Sequence, residues 1–210
     1  QSVERSIYDV LIGDATLAEA IRPTAVKGLD IVPATQDLVA AELELVDESD
    51  RALRLRNAIA GVEGYEFVLI DCPPSLGILT LSALTAATSV LVPLQCEFYA
   101  LEGLTHLMAT VDRIKNSFNP KLGVEGVVLT MFDGRMNVAN QVRAEVARFF
   151  GDKVLETTIP RNVRLSEAPS HGKPVLLYDL RCPGTKSYLA VADEIIARTS
   201  ALATKGQPAA

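Results

Sequence analysis

The sequence predicts an α/β protein with a doubly wound, mostly parallel sheet and helices on both faces. Apolar runs at residues 67–70, 89–94 and 124–131 have the character of strands buried on both faces. Between them, residues 77–86 and 100–117 have the length and apolar spacing of helices. Strands that alternate with helices of this length form parallel sheets, so the pattern fixes the fold class.

The N-terminal part predicts short helices and one strand. Residues 7–13 read as a helix that ends at glycine, and a second helix runs from Thr16, its predicted N-cap, to Ile21. Residues 29–33 read as a strand. Apolar side chains recur at helical spacing over residues 36–60, with a predicted break at residues 47–50.

The C-terminal part continues the alternation of helices and strands. The predicted elements are an amphipathic helix at 138–150, a short strand near Val154, a helix at 163–168, an extended segment at 174–177 and a closing helix at 188–202. Without a repeat or a linker, residues 1–202 are predicted to form one domain. The Gly-, Pro- and Ala-rich tail, residues 203–210, is predicted to be disordered.

Composition narrows the classes of function. The 210 residues are 49% apolar and 22% charged, and no apolar run reaches the roughly 20 residues of a membrane-spanning helix. With a net charge of −6, the whole molecule is not a basic nucleic-acid binder, so any contact with DNA requires a local patch.

The spacing of cysteine and histidine argues against metal and disulfide chemistry. Three cysteines, Cys72, Cys96 and Cys182, are odd in number and far apart, which favours a reducing cytoplasm. His106 and His171 lack the spacing of metal ligands.

The segment Val68-Leu69-Ile70-Asp71-Cys72-Pro73-Pro74-Ser75 has the strongest functional signal. An acidic side chain follows an apolar strand, and two prolines prevent the strand from continuing. Ligands of α/β proteins bind at the carboxyl ends of strands, where nucleotide hydrolases hold Mg²⁺. The alternative interpretation of Asp71 is a residue that caps a polar turn.

Four phrases together resemble the ParA/Soj partitioning ATPases, a branch of the P-loop NTPases related to MinD. They are VLIDCPPS at 68–75, VPLQCEFYALEG at 92–103, VLTMFD at 128–133 and IPRNVRLSEAPSHGKP at 159–174. The phrases occur in family order and separation, and the resemblance extends to about residue 202. It implies a doubly wound α/β sheet of the P-loop NTPase type.

One departure from the family pattern concerns the phosphate loop. Family members begin with a strand, a glycine- and lysine-rich phosphate loop and a second strand, whereas the 210 residues contain no G-x-x-x-x-G-K-[ST]. The chain is therefore expected to start after these elements. Because phosphoryl transfer depends on positioning and electrostatics, the polypeptide is expected to bind little ATP or Mg²⁺ and not to hydrolyse ATP alone.

The resemblance assigns nucleotide roles to residues after three strands. Asp71 is implied to be a catalytic residue that is coupled to Mg²⁺ and the γ-phosphate, with an indirect contact to the metal. Met131, Asp133, Pro160 and Asn162 are implied to surround the purine, with apolar faces and an amide that can read adenine. For Asn162 the alternative is the N-cap of helix 163–168.

Glu97 follows the strand at 89–94 and, in the family, lies near the nucleotide and the dimer face. The resemblance allows it to reach a ribose hydroxyl or a partner subunit. Its alternative role is to cap the helix that starts near Ala100.

The family binds DNA without sequence preference through arginines of the C-terminal third. The candidates are Arg143, Arg161 and Arg164, within a set that also includes Arg148, Lys173 and Arg181. The alternative is a solvated helix face, the usual role of surface arginines.

The resemblance implies a cytoplasmic, nucleoid-associated protein that forms an ATP-dependent homodimer on DNA. Its expected partner is a ParB-like centromere-binding protein that stimulates hydrolysis. One alternative is a non-catalytic module that binds DNA or a partner. A weaker alternative is a MinD-like membrane ATPase, although the tail ATKGQPAA lacks the amphipathic pattern of a membrane anchor.

Overall fold

The computed structural model describes residues 4–73, 75, 77–97 and 99–205, with side chains described as far as residue 200. Pro74, in the predicted Asp71 loop, lies outside the described residues. The chain divides into two compact units. The first comprises Gln1–Ser89 with Ala109–Gly123, and the second Val90–Met108 with Val124–Ala210.

The described elements alternate along the chain much as the sequence predicts. They are α1 (Ile7–Ile12), α2 (Leu17–Ala20), β1 (Arg22–Pro23), β2 (Asp30–Ile31), α3 (Leu38–Glu44), α4 (Arg54–Ala60), α5 (Ile78–Ala86), β3 (Ser89–Gln95), α6 (Ala100–Ser117), β4 (Gly123–Thr130), α7 (Asn137–Phe150), α8 (Val163–Glu167), α9 (Val175–Tyr178) and α10 (Pro183–Lys205). Short 3-10 helices occupy Gly151–Lys153 and Ala168–His171.

Local capping signals determine the first two helices. Gly13 ends α1 with a φ of 96°, a conformation that glycine adopts without strain. At the start of α2, the Thr16 hydroxyl accepts a hydrogen bond from the Glu19 N–H, and the Glu19 carboxylate accepts one from the Thr16 N–H. The predicted glycine stop and the predicted N-cap are both confirmed.

The core of the first unit lies between helices. Ala41 and Leu45 are almost fully buried and pack with Leu11 of α1, Leu55 of α4 and Ala83 of α5. The predicted break in residues 36–60 is confirmed, because α3 ends at Glu44 and α4 begins at Arg54.

The predicted buried strand before Asp71 is wrong for the described residues. Residues 67–71 belong to no strand, and Val68 and Leu69 are 55% and 88% exposed. Ile70 packs against the core of the first unit. An apolar run becomes a strand only when a neighbouring strand pairs with its backbone, and no such pairing is present among the described residues.

The strand predicted at residues 29–33 is shorter than expected and pairs differently. Its residues Asp30–Ile31 form β2, which pairs antiparallel with β1. Gly28 turns the chain between them with a φ of 82°, so the two strands form a small ribbon.

The second unit contains the predicted central strands. β4 lies beside β3, and Val127 of β4 forms a parallel bridge with Val154. Val127 and Leu129 pack against α6 and α7, whereas Val128 packs against Val191 of α10. Alternate residues of β4 thus contact helices on opposite faces, as the predicted α/β architecture requires.

Two predicted C-terminal elements differ in the structure. Residues 175–178 form α9 instead of an extended segment, because the Pro174 carbonyl accepts hydrogen bonds from the N–H groups of Leu177 and Tyr178. Helix α10 begins at Pro183, where proline suits the first helical position. It continues to Lys205, and residues 206–210 lie outside the described residues.

Among the helices described, none has both the length and the apolar character needed to cross a membrane.

Candidate functional site

Two loops leave the second unit side by side at the carboxyl end of β4. The Ile159 N–H donates to the Leu129 carbonyl at 2.8 Å, and the Phe132 N–H donates to the Ile159 carbonyl at 3.0 Å. Phe132 and Pro160 then form a parallel bridge. The backbone therefore brings the loop of Met131 and Asp133 next to the loop of Pro160 and Asn162.

Helix α10 supports the chain that leads to the second loop. The Glu194 carboxylate accepts the N–H groups of Glu156 and Thr157 at 2.9 and 3.1 Å. Arg198 donates to the carbonyl oxygens of Asp152 and Val154 and to Glu194. Burial raises the pKa of Glu194, but these donors outweigh it and hold that pKa below its ordinary value.

Met131 has a backbone conformation that is unusual for its residue type. Its φ is 50°, in the left-handed region that favours glycine, and its side chain is in an exposed position. Strained backbone of this kind persists where the surrounding contacts hold it, often at functional sites. Here the strained residue directly precedes the bridged residue Phe132.

Asp133 is engaged by an arginine two residues later. Its carboxylate accepts from Nε of Arg135 at 2.9 Å, from Nη2 at 2.6 Å and from the Arg135 backbone N–H at 3.0 Å. The hydrogen bonds from the Arg135 side chain are the main reason why the pKa of Asp133 is lowered to about 2. The carboxylate thus remains charged and has a built-in counterion.

Asn162 is the N-cap of α8, the alternative that the sequence left open. Its Oδ1 accepts from the Arg164 N–H at 2.9 Å. Its side-chain nitrogen donates to no group of the described residues, so the cap leaves the amide donor free for a ligand. The cap and a nucleotide contact are therefore compatible.

An open groove of about 640 Å³ lies beside the second loop. Its lining is rich in charge and comprises Arg161–Arg164, Glu167, Asp179 and Arg181–Pro183. Arg164 forms ion pairs with Glu167 at 2.7 Å and Asp179 at 3.5 Å, and its guanidinium lowers the pKa of Glu167. Arg161 is exposed and forms no ion pair within the described part of the chain.

Arg143 lies on α7 with its guanidinium carbon 5.7 Å from the centroid of the Phe132 ring. At this distance the cation and the ring attract each other. The contact places one predicted DNA-binding arginine against the first loop. Arg148, five residues further along α7, pairs instead with Glu145 at 2.8 Å.

Glu97 is exposed and lines a smaller groove of about 350 Å³ with Tyr99 and the start of α6. Its backbone carbonyl accepts from the Ala100 N–H at 3.1 Å. Among the described residues its carboxylate makes no hydrogen bond, so the side chain does not cap α6 there.

Asp71 belongs to the first unit and is exposed. It follows residues 67–70, which belong to no strand, and its carboxylate has no hydrogen bond or ion pair with any described residue. Its role in binding Mg²⁺ stays a prediction. The described part of the chain holds no cluster of three or more His, Cys, Asp or Glu residues suited to a metal ion.

Arg135 was not singled out by the sequence. The signal that could have found it is the Asp-Gly-Arg run after β4, because Asp in a turn commonly binds the backbone two residues on. Its side chain is 91% exposed and lies in the first loop. Because Arg135 is paired with Asp133, the two together add no net charge to this loop.

Similarity to known proteins identifies the family of the chain. A family model described as an AAA domain matches residues 1–124. The chromosome partitioning protein ParA of Caulobacter vibrioides is 54% identical over 196 residues, which cover 92% of this chain and 73% of the relative. The sporulation initiation inhibitor protein Soj of Bacillus subtilis is 52% identical over 196 residues, covering 93% and 78% of the two chains.

The fold also matches a solved enzyme. Cobyrinic acid a,c-diamide synthase from Mycobacterium smegmatis, solved with a bound ATP analog and magnesium, superposes with a TM-score of 0.80 at 32% identity. The match covers 95% of this chain and 74% of that one. The predicted P-loop NTPase-like α/β class is confirmed, and the chain belongs to the ParA/Soj family of chromosome-partitioning ATPases.

Proposed function

We propose that the paired loops of the second unit form the adenine side of the nucleotide site of a partitioning ATPase. The observation that carries the proposal is the bridge between Phe132 and Pro160, which puts both loops at one sheet edge. This is the edge where α/β proteins bind ligands. The synthase with a similar fold, at 32% identity, was solved with an ATP analog.

The loop residues supply the chemistry that a purine requires. Met131 and Pro160 offer apolar surfaces for the ring. The Asn162 amide donates a hydrogen bond to an adenine ring nitrogen, while its oxygen keeps α8 capped. Asp133 serves mainly to fix the first loop, because its oxygens are occupied by Arg135.

Magnesium is the expected companion of the nucleotide phosphates. Mg²⁺ is usually held by one or two carboxylates together with waters and phosphates, so a single exposed Asp71 fits a water-mediated role. The ion would supply charge neutralisation at the γ-phosphate. Asp71 would hold its water shell, and the Asp71 side chain is open for this purpose.

The exposed arginines suit DNA binding without sequence preference. Arg161 forms no ion pair with the described residues, and Arg143 lies against Phe132 of the first loop. Arginines on one edge neutralise backbone phosphates and release counterions. The proposal includes an ATP-dependent homodimer on the nucleoid in the cytoplasm, with a ParB-like centromere-binding protein as its partner.

The test is an NMR titration of the chain with adenosine at millimolar concentration. We expect shift changes confined to residues 131–136 and 159–164, and smaller ones with guanosine. The substitution Asn162→Asp keeps the cap oxygen and removes the amide donor, so it should abolish the adenosine shifts without changing the melting temperature.

The control is Asn57→Asp on α4, which alters an exposed amide in the first unit, outside both loops. Adenosine shifts that survive Asn162→Asp, or that spread away from both loops, would refute the proposed adenine site. DNA binding without any adenosine response would favour the non-catalytic module instead.

A further inference from the structure

The outer side of α3 carries an apolar stripe that nothing in the described structure covers. Val39, Leu43 and Val46 are 72%, 77% and 52% exposed. Their spacing of four and three residues places them on one face of α3 and the turn that follows it. The opposite face is occupied, because Ala41 and Leu45 are buried in the core.

A helix with apolar residues on both faces is normally buried on both faces. Single exposed apolar residues need no explanation, but three aligned on one short helix form a contact surface. The buried side chain of Leu45 holds the end of α3 against the core, and the Leu45 N–H donates to the Ala41 carbonyl. We call Val39, Leu43 and Val46 the α3 stripe.

The charges around the α3 stripe are mainly negative, although Arg51 donates to the carbonyl oxygen of Val46. Residues 28–50 contain no Lys or Arg and seven Asp or Glu. The pairs Arg54–Glu48 and Arg54–Asp50 neutralise two of them. Asp37, Glu44 and Asp47, which flank the stripe in sequence, are exposed and form no ion pair with the described residues, although the Glu44 carboxylate accepts from the Tyr8 hydroxyl.

We propose that the α3 stripe is the docking site of a basic amphipathic helix of a partner protein. Leucine-like side chains at i, i+4 and i+7 would cover Val39, Leu43 and Val46, and flanking Lys or Arg would face the carboxylates. A second copy of this chain is disfavoured as the partner, because a two-fold contact would place the acidic flanks of both copies opposite each other, where they repel. An anionic lipid surface is disfavoured for the same reason.

The contact is small, with three apolar side chains on the stripe. Binding is therefore weak and transient, and much of its strength and on-rate comes from charge. This site belongs to the first unit and shares no residue with the loops proposed for adenine, so adenosine binding and peptide docking can fail independently.

The probe is a synthetic helical peptide of about 18 residues, with Leu at i, i+4 and i+7 and Lys on both flanks. One control peptide carries Glu in place of Lys, and another carries Gln in place of Leu. Fluorescence anisotropy should show binding of the Leu/Lys peptide alone, weakening as salt rises from about 50 to about 300 mM. NMR shift changes should map to residues 37–48.

The double variant Val39→Ser/Leu43→Ser should weaken binding of the Leu/Lys peptide at least about tenfold, because it removes most of the apolar contact. Phe149→Ser on α7 is the matched control, since Phe149 is 78% exposed and lies in the other unit. Its binding should equal that of the unaltered chain.

Equal binding by the double variant, or equal binding of the Glu peptide, would overturn the proposal. Concentration-dependent dimerisation that disappears in the double variant would assign the stripe to a second copy instead. Thermal melts of both variants show whether the fold is retained, and the exposed positions of Val39 and Leu43 make its loss unexpected.

Discussion

The backbone N–H of Phe132 donates to the carbonyl oxygen of Ile159 at 3.0 Å, and this bond joins the two loops of the candidate site. It continues a register that starts where Leu155 donates to Val127. The segment of residues 154–160 is thus hydrogen-bonded to β4 and its continuation at both its start and its end. Any change that moves this segment off β4 should therefore disturb both loops.

The closest approach in this register is at Gly126, which predicts the effect of adding a methyl group. A Cβ at Gly126 would clash with Cδ1 of Leu155 and would lie 2.9 Å from the Lys153 carbonyl oxygen. Gly126→Ala should therefore lower the free energy of unfolding by about 2–3 kcal/mol, measured by urea denaturation.

The control is Gly103→Ala, because nothing lies within 4 Å of the corresponding Cβ position in α6. It should be neutral or raise the free energy of unfolding by about 0.5–1 kcal/mol, since alanine favours helix. Equal stabilities for the two variants would show that the 153–155 segment does not pack tightly on Gly126.

The pair Asp133–Arg135 predicts a pH dependence. The folded pKa of Asp133 is about 2, below its ordinary value of 3.8, so the native state favours the charged carboxylate. The stabilisation is present above the ordinary pKa and is lost as pH falls through about 2. NMR titration of the Asp133 carboxyl carbon should give a midpoint near this value.

Replacing Arg135 by Gln should return the pKa of Asp133 toward its ordinary value, because the hydrogen bonds of the guanidinium are the largest cause of the shift. Arg148→Gln, which alters an ion pair to Glu145 instead, should leave the titration unchanged. An Asp133 midpoint that does not move in Arg135→Gln would contradict the pairing.

Local chemistry made much of this fold predictable. Gly13 and the Thr16–Glu19 capping box act within a few residues, so the ends of α1 and α2 follow from the sequence. The run before Asp71 was not predictable in this way, because strand formation depends on a distant partner. The extended segment predicted at residues 174–177 is wrong for a different reason, because Pro174 fits both an extended segment and the start of a helix.

The candidate site also combines features that the sequence predicts with contacts that it does not. The loops at residues 131–133 and 160–162 lie together because loops that follow parallel strands meet at the same edge of a sheet, and this follows from the sequence once β4 is recognised. The bond from Arg135 to Asp133 was not predictable, because it depends on side-chain geometry within a turn. The ion pair of Arg164 with Asp179 was not predictable either, because the two residues are 15 positions apart. Charge counts alone cannot distinguish such paired arginines from Arg161.

The difference between ion-paired Arg164 and exposed Arg161, which pairs with no described residue, predicts different contributions to DNA binding. Arg161→Ala should reduce the slope of log affinity against log salt by about 0.9, the value for one lost phosphate contact, on any random-sequence duplex. The triple change of Arg143, Arg161 and Arg164 to Ala should flatten the slope further. Fluorescence anisotropy at several salt concentrations measures the slope.

Arg148→Ala is the matched control, because its guanidinium is exposed and pairs with Glu145 on the same helix. A triple variant with an unaltered salt slope would rule out this edge as the DNA contact, whatever its absolute affinity. Arg164→Ala alone should also lower the melting temperature slightly, since it frees Glu167 and Asp179 from exposed ion pairs.

The last prediction concerns ATP itself. The 210 residues contain no phosphate-loop motif, and Asp71 is a lone exposed carboxylate. The loops at Met131 and Asn162 can hold the base, but binding a triphosphate also requires backbone N–H groups and a lysine that neutralise its charge. Calorimetric titration of this polypeptide with ATP and Mg²⁺ should therefore give an affinity weaker than micromolar. Adenosine and ATP should bind about equally, because the 210 residues contain no phosphate-loop motif to bind the phosphates of ATP. A micromolar ATP affinity that depends on Mg²⁺ and is lost in Asp71→Asn would contradict this expectation and would place a phosphate site within these residues.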